Sequence, residues 1–328
     1  MSNKKKILII QKVHEKGMEL INNHPNFDVE VTEDVSVENL KSKIKDCDGA
    51  SIRIAKLPGE VIQEAKNLKI ISRHGVGYDN VDIKFLNKNN IALAITGTSN
   101  AVSVAEHVMT MFLYLTKKIN ISDLLVKKGD FIKKNTLPSF FELYNKNILI
   151  LGFGRIGREL AKRCLSFDTK VYVFDPFIDN EIIKQHNCIP IESKEEGIKV
   201  ADYISIHMPL NDKTKNFISY DEFKISKNNL ILVNTARGGI INEEALFQAL
   251  KSKSILGAGL DVFENEPPIK NHPLLSLNNI LLTPHNAALT LECRTRMSIE
   301  ACENIIYFLN KNSNLNDKNI ANSNLIKS

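Results

Sequence analysis

No segment of this 328-residue chain comes near the roughly 20 consecutive apolar residues that a membrane-crossing helix needs. The apolar run near the start, Ile7-Leu8-Ile9-Ile10, ends at Gln11-Lys12, short of the core of about 7–15 residues in a secretory leader. It reads as a buried first strand, and the cytoplasm is the expected compartment. An excess of one charge is also missing: 43 Lys and Arg face 38 Asp and Glu, a formal net charge of +5. The single basic cluster is Lys4-Lys5-Lys6, and no stretch interleaves basic with aromatic residues, so neither nucleic acid nor a membrane is expected as a partner. The five cysteines, Cys47, Cys164, Cys188, Cys293 and Cys302, form no CxxC pair, and the eight histidines contain no HExxH. Free, inert thiols and no bound metal are expected.

What is present suits globular cores. Hydrophobic residues make up 43% of the chain and charged residues 25%, and the length allows two ordinary domains. In the first hundred residues, short apolar runs (Ile7–Ile10, Val29–Val31, Ala50–Ile54, Ile70–Ile71, Ile91–Ile95) alternate with amphipathic stretches such as Val37–Ile44 and Pro58–Ala65. Strands alternating with helices imply a parallel sheet covered by helices. The apolar stretch Ala101–Leu115 is too long for a strand and reads as a helix. Ser103-Val104-Ala105-Glu106 fits a capping box there, with an earlier start at Ser99 or Asn100 left open. A polar, loop-like stretch covers Lys127–Asn147. A second α/β series follows, with strands expected at Ile148–Leu151, Val171–Phe174, Tyr203–Ile206, Leu230–Val233, Ala258–Leu260 and Ile280–Leu282. A last helix is expected over Thr290–Leu309, and the Asn-, Lys- and Ser-rich tail from Asn310 is expected to fray.

Gly152-Phe153-Gly154-Arg155-Ile156-Gly157 spells GxGxxG. Alone that is weak, but here an apolar strand runs into it, a helical pattern runs out of it, and a second strand ends in Asp175. Gly152 permits the tight turn, Gly154 lets a pyrophosphate approach the backbone, and Gly157 lets helix and strand pack closely. The helix N-terminus offers N–H groups and a positive dipole end to phosphates. Asp175 would accept hydrogen bonds from the adenosine ribose hydroxyls. A carboxylate there repels a 2′-phosphate, and Pro176-Phe177 supplies no Arg to hold one, which favours NAD over NADP.

Three later segments place an ionisable residue just beyond a strand: Arg237 in Asn234–Gly239, Glu266 in Asp261–Pro267, and His285 in Thr283–Ala288. In a doubly wound sheet, ligands sit beyond the carboxyl ends of the strands, so the three can converge. Together with the glycine motif these segments closely resemble the D-isomer-specific 2-hydroxyacid dehydrogenase family. The segment Arg73-His74-Gly75-Val76-Gly77-Tyr78-Asp79-Asn80-Val81-Asp82 is similar to its substrate loop, and His207-Met208-Pro209-Leu210 to a cofactor-side segment.

The resemblance implies an NAD-dependent enzyme that moves a hydride between nicotinamide and C2 of a small D-2-hydroxy or 2-keto acid, such as phosphoglycerate, glyoxylate or hydroxypyruvate. It implies His285 as the proton donor in reduction and the acceptor in oxidation, a task suited to imidazole. Glu266 would fix the tautomer of His285 and favour its imidazolium. Arg237 would bind the substrate carboxylate or carbonyl with its planar fork and polarise the carbonyl. The Val76 and Gly77 N–H groups would hold the carboxylate, with Arg53 as a further substrate residue. Cofactor contacts are implied at Gly152, Gly154, Arg155, Ile156, Gly157, Asp175, His207, Pro209, Thr214, Thr235, Ala236 and Asp261. Two doubly wound parallel-sheet domains are implied: a flavodoxin-like substrate domain at residues 1–98, completed by 290–328, and a Rossmann NAD domain at residues 99–289. The active site is expected in the cleft between them. A homodimer built on the NAD domain is implied, with the helix beginning near Asn100 and the loop after it as the contact.

Some positions depart from the family pattern. A small polar residue often follows the Arg at position 53, where this chain has Ile54, which speaks against a phosphorylated substrate. Asp168 stands where relatives usually have Gly after the glycine-motif helix; Asp tolerates the left-handed conformation, and no functional cost is expected. A structural role is favoured for His74 and His107, and His14, His24, His186 and His272 read as structural or solvated. Formate dehydrogenases resemble the family but usually carry Gln as the histidine partner, and Glu266 argues against that activity. The alternative from another class is an NADH-sensing co-repressor-like binding protein on the same fold.

Overall fold

The computed structural model describes residues 4–310 and 319–323. The chain divides into two compact units, Met1–Asn100 with Leu289–Ser328, and Ala101–Ala288.

In the first unit, β1 (Lys5–Ile10), β2 (Phe27–Thr32), β3 (Gly49–Ile52), β4 (Ile70–Arg73) and β5 (Ala92–Ile95) form one parallel sheet. Its order, β2-β1-β3-β4-β5, is the flavodoxin-like one. Successive side chains of a strand point to opposite faces, and β1 shows why its apolar run is unbroken. Leu8 and Ile10 enter one core with α2 (Val37–Ile44), α3 (Gly59–Ile62) and α4 (Ile83–Lys88). Ile7 and Ile9 enter another, with α1 (Glu15–Asn22) and the last helix, Leu291–Leu309. The last helix lies so close to α1 that a Cβ on Gly17 would sit 2.1 Å from Ser298 Oγ.

The expectation that the tail frays needs correction for Asn310, which caps the last helix, and for residues 319–323; the rest of that tail lies outside the described residues. Ile320 is buried and bridges Ala94 antiparallel. Asn322 accepts from Leu93 N (2.8 Å) and donates to Ile91 O (2.9 Å) and Asn87 Oδ1 (3.1 Å). β5 is an edge strand, its outer N–H and C=O groups need partners, and an amide side chain supplies both kinds. Composition does not reveal such a role for one Asn among many.

In the second unit, β6 (Asn147–Leu151), β7 (Lys170–Phe174), β8 (Ile189–Pro190), β9 (Tyr203–Ile206), β10 (Ile231–Asn234), β11 (Gly257–Leu260) and β12 (Ile280–Leu282) form a parallel sheet ordered β12-β11-β10-β9-β6-β7-β8. One face carries α5 (Ala101–Lys117), α7 (Arg155–Leu165) and α8 (Asn180–Gln185), in one core with Ile148 and Ile150. The other carries α9 (Lys194–Val200), α10 (Tyr220–Ile225) and α11 (Glu243–Lys251), against Leu149 and Leu151. The sequence reading missed β8, two residues long and ending in Pro190. Helix α5 starts at the earlier of the expected positions, and Ser103 is buried inside it rather than capping it. Lys118 turns left-handed (φ 48°), so a separate helix α6 (Ile119–Lys127) precedes the expected loop, which itself holds a 3-10 turn at Phe131–Thr136. Asp168 adopts the left-handed conformation at φ 56°. Among the described residues no helix is long and apolar enough to cross a membrane.

Replacing Asn322 by Ala leaves Leu93 N and Ile91 O without partners, and the expected loss is about 2–4 kcal/mol. Urea unfolding of the two proteins measures it; equal midpoints would remove Asn322 from the edge.

Candidate active site

All strands of the second sheet point one way, so their carboxyl ends share one edge, with neighbours about 4.8 Å apart. The glycine turn follows β6, Asp175 follows β7, and His207 follows β9. Arg237, Glu266 and His285 lie in the segments after the adjacent strands β10, β11 and β12.

The glycine turn has the form a dinucleotide requires. Gly152 sits at φ 97°, and a Cβ there would fall 2.6 Å from His207 O. A Cβ on Gly157 would meet Gly152 O at 2.3 Å, whereas one on Gly154 would meet nothing within 4 Å. Open space therefore faces the start of α7, where Arg155 and Ile156 lie. Asp175 Oδ2 accepts from Phe153 N (2.7 Å) and Oδ1 from Phe177 N (2.9 Å), fixing the carboxylate beside the turn. Each oxygen keeps a lone pair. Unspent polar atoms lie further along the same edge: the buried Thr235 hydroxyl and His207 Nδ1 have no hydrogen-bond partner among the described residues. His207 Nε2 lies 2.8 Å from Ser205 Oγ, and burial pushes the imidazole down to about 3, so it is neutral. Open cradle, ribose acceptor and unspent polar atoms fit a bound dinucleotide. Two predicted contacts have other tasks as well. The Thr214 hydroxyl donates to Pro209 O (2.6 Å), closing that loop, and Ala236 N donates to Asn234 Oδ1 (3.0 Å).

His285 Nδ1 lies 2.8 Å from Glu266 Oε2, and Glu266 Oε1 accepts from Phe263 N (3.0 Å). Half of the His285 side chain is exposed, so the ring is reachable from solvent. His285 sits at φ 52°, a conformation that costs a non-glycine residue roughly 1–2 kcal/mol. Asp261, 1% exposed, holds it there. Its Oδ1 accepts from the Thr283 hydroxyl (2.6 Å) and Asn286 N (2.9 Å), and its Oδ2 from Ala287 N (3.0 Å). His107 Nε2 lies 3.0 Å from Thr283 Oγ1 and ties α5 into the network. The sequence reading assigned Asp261 to the cofactor and did not foresee this grip on both sides of His285. An acid directly after a buried strand was the available signal. Arg237 is half-buried and donates from Nη1 to Ala236 O (2.7 Å), while the buried Asn234 amide donates to Arg237 O (2.8 Å) and fixes its turn. No group of metal-ligating side chains gathers among the described residues.

In the first unit, Gly75 adopts φ 143°, with the Arg73 guanidinium in the space a Cβ would need. Arg73 donates to His74 O, and Gly75 O accepts from Thr96 N (3.0 Å). Among the described residues no acceptor is found for Val76 N or Gly77 N, which leaves two adjacent donors suited to an anion. Arg53 follows β3 and donates to Lys12 O (3.1 Å), and Ile54 beside it is 72% exposed. His74 is buried. Desolvation, then the nearby Arg53 and Arg73 charges, push it from its ordinary value near 6.5 down to about 4.

A buried neutral histidine binds fewer protons folded than unfolded, so its stabilisation is complete above about pH 6.5 and is lost as pH falls toward 4. Thermal unfolding between pH 7 and 5 is expected to fall more gently for His74→Asn than for the wild type. Parallel curves would contradict a buried neutral His74.

Residues 109–287 match the family described as D-isomer specific 2-hydroxyacid dehydrogenase, NAD binding domain. The chain is 38% identical over 284 residues to hydroxypyruvate reductase of Thermotoga maritima, covering 85% of this chain and 90% of that one. It is 36% identical over 301 residues to D-3-phosphoglycerate dehydrogenase of Methanocaldococcus jannaschii, covering 92% of this chain but 56% of that one, so it spans about half the length of that relative. D-lactate dehydrogenase from Aquifex aeolicus, solved with NAD and lactic acid, superposes with a TM-score of 0.84 at 26% identity, over 96% of this chain and 98% of that one. With that extent of likeness, and with the glycine turn and the His–Glu pair on one sheet edge, the chain belongs to the D-isomer-specific 2-hydroxyacid dehydrogenase family.

Proposed function

We propose that the chain is an NAD-dependent oxidoreductase acting on a small D-2-hydroxy acid or its 2-keto acid, of the glyoxylate, hydroxypyruvate or phosphoglycerate kind. The observation that carries this reading is the 2.8 Å His285–Glu266 pair, at the same sheet edge as Arg237 and the glycine turn. Bound dinucleotide supplies or accepts the hydride at nicotinamide C4. The chain's own residues handle charge and protons. Arg237 holds the substrate carboxylate or carbonyl and draws electron density from C2. Val76 and Gly77 N–H groups take the carboxylate. With Nδ1–H donated to Glu266, the Nε2 of His285 delivers a proton to the carbonyl oxygen in reduction and takes it back in oxidation. The Glu266 carboxylate stabilises the imidazolium of the proton-loaded state. Within that class, exposed Ile54 beside Arg53 favours glyoxylate or hydroxypyruvate over phosphoglycerate.

Asp175 supports NAD over NADP, because its carboxylate is fixed by two backbone N–H groups and cannot swing from a 2′-phosphate without losing both. A homodimer is supported by α6, which has no buried residue and exposes Ile119, Leu124 and Val126, followed by exposed Phe131 and Ile132. The co-repressor alternative is not favoured, since the relatives above are named as reductases and dehydrogenases.

With NADH, at least one of glyoxylate, hydroxypyruvate, pyruvate or phosphohydroxypyruvate is expected to be reduced; no turnover with any of them defeats the proposal. His285→Ala is expected to lower that turnover about 10²–10⁴-fold with NADH binding retained, and unchanged turnover removes His285 from the reaction. Asp175→Ala is expected to weaken NADH and narrow the gap to NADPH; equal use of both cofactors by the wild type would overturn the role given to Asp175.

A further inference from the structure

The loop Val262–Pro268 carries Glu266, yet its inner bond, Phe263 N to Glu266 Oε1, lies within the loop and cannot fix it to the scaffold. An external anchor comes from the first turn of α11. Glu243 Oε1 accepts from Glu264 N at 2.7 Å. Among the described residues this is the one bond by which a residue outside the loop takes one of its backbone N–H groups. The other oxygen, Oε2, lies 3.0 Å from His272 Nε2, and both side chains are largely buried, at 12% and 19% exposure. A carboxylate held at both oxygens has one orientation, and α11 is itself capped by Asn242, whose side chain accepts from Ala245 N (2.9 Å). The same loop also lies against the turn after Arg237: a Cβ on Gly238 would fall 1.8 Å from Phe263 O. A shift of Phe263–Glu264 therefore reaches both Glu266 and the Arg237 turn.

We propose that Glu243 is a positioning residue, steered by His272, that clamps the Glu266 loop so that Glu266 meets His285 Nδ1. The catalytic consequence rests on the function proposed above; the geometric one does not. Glu243 lies in the first turn of α11, where a carboxylate is favoured, and a carboxylate oxygen is a strong acceptor for Glu264 N. His272, which the sequence presents as structural or solvated, is thereby the outer support of the Glu266–His285 pair.

The test uses the full chain with ¹⁵N-labelled histidine, the ring signals of His285 being assigned by their loss in His285→Ala. The wild type is expected to show the Nδ1–H tautomer of His285. Glu243→Ala is expected to lose that preference and to lower kcat about 10-fold per NADH-binding site, with the NADH dissociation constant unchanged. Glu243→Gln, whose amide oxygen can still accept from Glu264 N, is expected to restore most of both. In a Glu266→Gln background, Glu243→Ala is expected to add little, because the two act as one unit. Wild-type tautomer and kcat in Glu243→Ala, or losses that simply add to those of Glu266→Gln, overturn the proposal. Should Glu243→Ala not fold, Glu243→Asp, one methylene too short to reach both partners, is held to the same readouts. A wild type that turns over none of the keto acids defeats the functional reading, while the tautomer still judges the clamp.

Discussion

One buried carboxylate organises the backbone around His285 at this sheet edge. Asp261 gathers the Thr283 hydroxyl and the Asn286 and Ala287 N–H groups, and His285 stands in the middle of what it gathers. Left alone, a histidine would leave the left-handed conformation for a commoner one. Three bonds to a single carboxylate in a buried setting outweigh that preference and fix the backbone from which the ring projects. The charge on Asp261 therefore does structural work that a neutral acceptor would do less well, since hydrogen bonds to an ionised group are roughly twice as strong.

The same logic repeats outward. Glu266 is oriented by Phe263 N, Glu264 by Glu243, and Glu243 by His272. Arg237 has its own support in the buried Asn234 amide. Arg237, Glu266 and His285 are thus each carried by a backbone turn that a second polar side chain locks. Loops alone would leave such groups to drift, and a drift of about 1 Å is enough to cost 10²-fold in rate.

Much of this was legible in the sequence, for definable reasons. Parallel strands buried on both faces must be apolar throughout, so runs such as Ile7–Ile10 and Ile148–Leu151 announced themselves. The glycine turn was legible because only residues without a Cβ fit where backbone meets backbone, as at Gly152 and Gly157. His285, Glu266 and Arg237 stood out as ionisable groups just after strands. What stayed hidden depends on pairings between distant residues. Nothing local tells that Asn322 would satisfy the β5 edge, or that Glu243 would reach Glu264. Asp261 was noticed but not its bonds around His285, because a motif shows that an acid is present and not where its lone pairs are spent. Helix α6 fell between the expected helix and the expected loop, because none of its residues is buried and its apolar side chains trace no core-facing stripe.

The central claim is that Glu266 stabilises the protonated ring of His285 during reduction. The most direct measurement is the pH dependence of kcat for keto-acid reduction in the wild type and in Glu266→Gln. Removing the carboxylate should make the rate fall away at lower pH than in the wild type, with NADH affinity unchanged. Coincident profiles for the two proteins would contradict the account.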